Sequence, residues 1–84
     1  MKYKLMGQFP LPTGAGWEEV VFEKEAPSAR ELAEKFVADK FPGLDCVLEC
    51  DWAGEEHGHL ECYLTMPKGF WDDEVYFEVA RVTG

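Results

Sequence analysis

Two hydrophobic periods share this chain, and their order restricts the fold more than any other feature: alternating stretches flank a single stretch of helical period. Residues 2–9 set Tyr3, Leu5, Gly7 and Phe9 against Lys2, Lys4, Met6 and Gln8, the pattern of a half-buried strand. Pro10, Pro12, Gly14 and Gly16 then form a connection, and residues 17–24 read as a second strand, which makes a hairpin. Ser28-Ala29-Arg30-Glu31 has capping-box spacing, in which the serine oxygen and the glutamate satisfy free amides at a helix start. Ala29, Leu32, Ala33, Phe36, Val37 and Phe41 follow at helical spacing, and Pro42-Gly43 stops the run. The spacing predicts one amphipathic helix over residues 29–41.

Beyond it the period returns to two. Residues 45–52 put Cys46, Leu48, Cys50 and Trp52 on one face and Asp45, Val47, Glu49 and Asp51 on the other. Residues 59–66 separate Leu60, Cys62, Leu64 and Met66 from His59, Glu61, Tyr63 and Thr65, and residues 74–82 turn Val75, Phe77 and Val79 inward. The expected order is β-β-α-β-β-β, an α+β fold with one antiparallel sheet and the helix packed on one face. With 84 residues there is room for one modest core, so residues 1–84 are expected to form a single domain. A hydrophobic fraction of 46% separates the chain from disordered acidic tails.

The charge is unevenly placed. Seventeen acids and eight bases give a net −9. Residues 1–40 hold seven acids and six bases, whereas residues 41–80 hold ten acids and one base, Lys68. Such a field repels nucleic acid and anionic membrane and draws basic partners inward. The expected partner is therefore a basic protein or nucleoprotein complex, with no direct nucleic-acid or membrane contact. No run approaches the 18 or so apolar residues of a membrane span, and Met1–Met6 lead into Gly7 with no apolar signal region. An odd three cysteines without a secretion signal point to reduced thiols in the cytoplasm and no structural disulfide.

Several clusters carry the composition of chemistry without its spacing. Cys46, Cys50, His57, His59 and Cys62 are zinc-type ligands, but alternation splits them between two faces and no Cys-x-x-Cys knuckle is present. On the apolar face a thiol behaves as a small hydrophobe, so no metal or cofactor is expected. There is no Gly-x-Ser-x-Gly elbow, no His-Glu-x-x-His and no phosphate loop, so no catalytic residue is assigned. Glu55, Glu56 and His57 fall at a hairpin tip, which offers no desolvated pocket to tune them for acid–base work. Asp72-Asp73-Glu74 lacks the alternating ligands and glycine turn of a calcium loop.

The acidic run has a geometry of its own. Glu49, Asp51 and Glu61 project from the outer face of two neighbouring strands, and Glu55 and Glu56 crown their connection. Next-but-one residues on a strand lie roughly 6.5 to 7 Å apart, similar to successive phosphates along a nucleic-acid strand. Like charges on neighbouring positions cost roughly 0.2 to 1 kcal/mol per pair, and a surface concerned only with solubility would intersperse lysines. None occurs between Phe41 and Pro67. Phe70-Trp71, rimmed by Asp72, Asp73 and Glu74, has the composition of an interface anchor. The candidate partner-binding residues are thus Glu49, Asp51, Glu55, Glu56, Glu61, Phe70, Trp71, Asp72, Asp73 and Glu74.

Two resemblances follow. Met1-Lys2-Tyr3-Lys4-Leu5 with Gly7 and Phe9, then Gly16-Trp17 and a helix after an alanine-containing stretch, resembles the start of the archaeal ribosomal LX/L18a-type domain over about the first half of the chain. In size, charge and layout the whole chain is similar to phage-encoded counter-defence proteins of the anti-CRISPR type. That second likeness implies stoichiometric binding to nuclease machinery in the host cytoplasm, with nucleic-acid mimicry as one mode. No shared signature carries a functional residue across. The leading expectation is an inhibitor of a basic nucleic-acid-handling protein. Its alternative is a structural or adaptor domain, a phage accessory or ribosome-like protein, whose acidity serves solubility.

Overall fold

The computed structural model describes residues 1–11, 16–51, 58–67 and 74–82. Within them run strands β1 (Lys2–Pro10) and β2 (Trp17–Glu25), helix α1 (Ala29–Lys40), and strands β3 (Val47–Cys50), β4 (His59–Thr65) and β5 (Glu74–Arg81). All strand pairings are antiparallel, in the spatial order β2-β1-β5-β4-β3. The fold is α+β, with the element order that the two periods imply.

Alternation sets which face of the sheet is covered. Tyr3, Leu5 and Phe9 of β1, Leu60, Cys62 and Leu64 of β4, and Val75, Phe77 and Val79 of β5 share one side and are buried. Helix α1 lies over that side and closes it with Ala29, Leu32 and Ala33. Phe36 sits at the centre of an aromatic cluster, its ring centroid 5.0 Å from Phe9, 5.5 Å from Phe22 and 6.4 Å from Phe77. Each fully buried Leu, Val or Phe stabilises the fold by about 1.5 to 3 kcal/mol.

The helix ends are built as their residues imply. The Glu31 amide donates to Ser28 Oγ at 3.1 Å, and the Phe41 amide donates to the Val37 carbonyl at 3.0 Å. Gly43 then takes a left-handed φ of 78°, which the reversal out of the helix requires. Lys40 anchors the last turn to β2 through an ion pair with Glu18, its ammonium lying 5.8 Å from the ring centroids of both Phe9 and Phe41.

The third strand is shorter than the alternation suggests. Leu44 N bonds back to Phe41 O, and Cys46 N bonds to Leu44 O at 3.0 Å, so the chain is still turning out of the helix at Cys46 and the ladder with β4 begins at Val47. Cys46 therefore precedes β3, half-buried against Met66 with the sulfurs 3.9 Å apart. Trp52, expected on the same face, lies outside the described residues.

Candidate protein-binding face

The side of the sheet away from α1 has no covering layer among the described residues, and its cross-strand rows can be read from the register. One row runs Val21, Met6, Glu78, Glu61 from β2 through β1 and β5 to β4, where the Asp51 amide, just past β3, donates to the Glu61 carbonyl at 2.9 Å. In the next row Tyr76 of β5 faces Tyr63 of β4, which faces Glu49 of β3. Glu74, Thr65 and Val47 follow. Carboxylates from three strands thus collect around two aromatic rings, whose centroids are 5.4 Å apart and tilted by 53°.

Glu61 and Glu78 stand directly opposite one another, a placement that destabilises through like-charge repulsion. His59 relieves part of it, its Nε2 lying 3.0 Å from Glu78 Oε2. Neither β3 nor β4 contains a lysine or arginine, and β5 has only Arg81. Among the described residues the lysines of the open face, Lys2 and Lys4, belong to β1, where Lys4 stands opposite Glu23 and Lys2 lies 4.0 Å from the same carboxylate. The Tyr76 phenol is pushed above its usual value first by desolvation and then by Glu61 and Glu78, so it stays neutral amid the acids.

Apolar groups share this surface. Val47 is 55% exposed, Val21 50% and Tyr76 46%. Solvated large side chains next to clustered carboxylates make a mixed acidic and aromatic surface, the composition suited to a basic partner with aliphatic stems.

Of the residues expected to bind, Glu49, Asp51 and Glu61 fall on this face, on or beside adjacent strands, as the alternation implies. Glu74 opens β5 opposite Thr65 and joins the same face from the other end. Glu55, Glu56, Phe70, Trp71, Asp72 and Asp73 lie outside the described residues. Glu19, Glu78, Tyr63 and Tyr76 join them on this face once the sheet is assembled. The outward parity of Glu78 between Phe77 and Val79 was a usable signal, but its neighbour Glu61 depends on β5 lying beside β4.

The zinc-type residues separate as the alternation requires. Cys50 and Cys62 face each other on the helix side with sulfurs 3.7 Å apart, while His59 points to the open face. Among the described residues no three of His, Cys, Asp and Glu come together as a metal site, and His57 lies outside them. Burial, then the neighbouring Cys50 thiol, push the Cys62 thiol well above its usual range, as burial and then Asp45 raise Cys46. Among the described residues no helix is long and apolar enough to cross a membrane. No protein-family model matches the chain, nor does any curated protein or solved structure.

Proposed function

We propose that this chain is a non-catalytic, stoichiometric inhibitor that binds a basic nucleic-acid-handling protein or complex, such as a CRISPR effector, through the open face of its sheet. The observation that carries the reading is the gathering of Glu49, Asp51, Glu61 and Glu78 around the Tyr63–Tyr76 pair on a face that α1 leaves bare. Acidity serving solubility alone would be interspersed with lysine. Here Glu61 and Glu78 are set opposite each other at a cost to stability, which a binding role accounts for. On the partner, such a face occupies the ground of a nucleic-acid backbone and excludes it.

The test is a pull-down from the source cell, comparing the native chain with the triple reversal Glu49→Lys, Asp51→Lys, Glu61→Lys. The native chain should retain a nucleic-acid-binding complex, release it as salt rises because exposed charges are screened beyond about 8 Å at physiological ionic strength, and lose it to competing nucleic acid. The reversal should fold and retain nothing. Retention indifferent to salt and to the triple reversal would refute mimicry.

A further inference from the structure

A groove of about 440 Å³ crosses the open face where β2, β1 and β5 lie side by side. Met6, Val21 and the Tyr76 side chain give it apolar walls, Gln8 lies along it, and Glu19 and Glu78 stand on strands at opposite sides of β1. We propose that this groove receives an arginine side chain of the basic partner. The inference rests on the reading of the open face as a site for such a partner, and it assigns that face an anchor point away from the Glu49–Asp51 end.

The chemistry of the groove selects among possible occupants. Its apolar wall needs an aliphatic occupant, and the two flanking carboxylates need a cation; a side chain with a methylene stem and a charged head meets both demands. Tyr76 distinguishes the two candidates, because a planar guanidinium stacks on an aromatic ring while keeping its edge donors for carboxylates, whereas an ammonium is a strongly hydrated point charge. Glu78 gives one oxygen to His59 and keeps a second for an incoming donor. A second copy of this chain is a poor occupant, since a net charge of −9 repels its own kind. A free apolar ligand would leave the carboxylates unanswered.

The test uses the whole isotope-labelled chain, titrated with an all-arginine peptide and an all-lysine peptide of equal length and followed by amide chemical shifts. The arginine peptide should shift Met6, Gln8, Val21 and Tyr76 and bind about tenfold more tightly than the lysine peptide, the scale of one charge-assisted contact. Glu19→Gln with Glu78→Gln should erase that preference while the spectrum stays dispersed. Glu49→Gln with Asp51→Asn should weaken both peptides equally and keep the preference. Equal binding of the two peptides, or shifts confined to Glu49, Asp51 and Glu61, would overturn the arginine groove and leave the acidic-face reading standing. Failure of both peptides to bind at all would overturn both.

Discussion

Alanine at Gly7 should be poorly tolerated, although alanine is ordinarily the better strand residue. Gly7 lies in β1 between Val20 of β2 and Phe77 of β5, with its missing side chain directed at the helix side of the sheet. A Cβ there would stand 2.5 Å from Phe77 Cβ, 3.1 Å from Phe77 Cα and 3.2 Å from Phe9 Cε2. The first two atoms cannot swing aside, because they are fixed to the backbone of a central strand. Removing glycine from a strand interior gains about 0.5 to 1 kcal/mol, whereas forcing an extra methyl into a filled core costs about 1 to 3 kcal/mol. The ranges subtract to about 0 to 2.5 kcal/mol, and because Phe77 Cβ and Cα cannot yield, the cost sits in the upper half of its range and the clash wins by about 1 to 2.5 kcal/mol. For a domain of this size that lowers Tm by about 5 to 15 °C. Thermal melting by circular dichroism, with urea unfolding as a cross-check, measures it directly. A Tm equal to or above the native value would refute the assignment of faces in β1 and β5, because a slip of one residue would turn Gly7 to the open side.

Other consequences are open to test. Oxidation with a disulfide such as oxidised glutathione should join Cys50 to Cys62, each giving up its proton as two glutathiones leave, since their sulfurs lie 3.7 Å apart; closing that short loop should add about 2 to 3 kcal/mol, and a bridge to Cys46 in peptide mapping would contradict the register. Under reducing conditions Cys62 should label slowly with thiol reagents, because it is buried and its pKa is raised. Lys40→Ala should cost about 1 kcal/mol through the lost cation–ring contact and a lost partner for Glu18, so an unchanged urea midpoint would show that the last turn needs no tether. Stability should fall on the alkaline side. The raised Cys62 and Tyr76 groups keep their protons in the folded chain after the unfolded chain has lost them, so their contribution is complete below the ordinary thiol value of 9.0 and declines as pH climbs toward the folded values. Urea titrations between neutral and strongly alkaline pH that showed a rise would reverse this sign.

How far the sequence could be read depended on whether a feature was local. The Ser28 cap, the helical spacing of Leu32 and Phe36, and the glycine after Pro42 act within a few residues, and the helix stands where they put it. Parity is also local, so Cys62 and Phe77 fall on the buried side and Glu49 and Glu61 on the open one. Adjacency is not. Glu78 meets Glu61, and Glu19 shares a groove with Tyr76, only because β5 inserts between β1 and β4. No short-range pattern encodes that insertion, which is settled by which apolar faces fit best over α1. The late start of β3 has a local cause, the turn out of the helix that still holds the Cys46 amide on the Leu44 carbonyl.

The pairing of β1 with β5 has a kinetic meaning as well. The β1–β2 hairpin is one local unit and the antiparallel run of β3, β4 and β5 is another, and the sheet becomes continuous only where residues 3–7 meet residues 77–81. The Val82 amide, donating to the Lys2 carbonyl at 2.8 Å, fastens the far end of that seam. Joining segments so distant along the chain carries a large loop-closure cost before any contact rewards it, which places folding toward the slow, milliseconds-to-seconds end for small domains. During synthesis Tyr3, Leu5 and Phe9 must wait on an unpaired edge until β5 has emerged from the ribosome, and the waiting hairpin is the species a chaperone would meet.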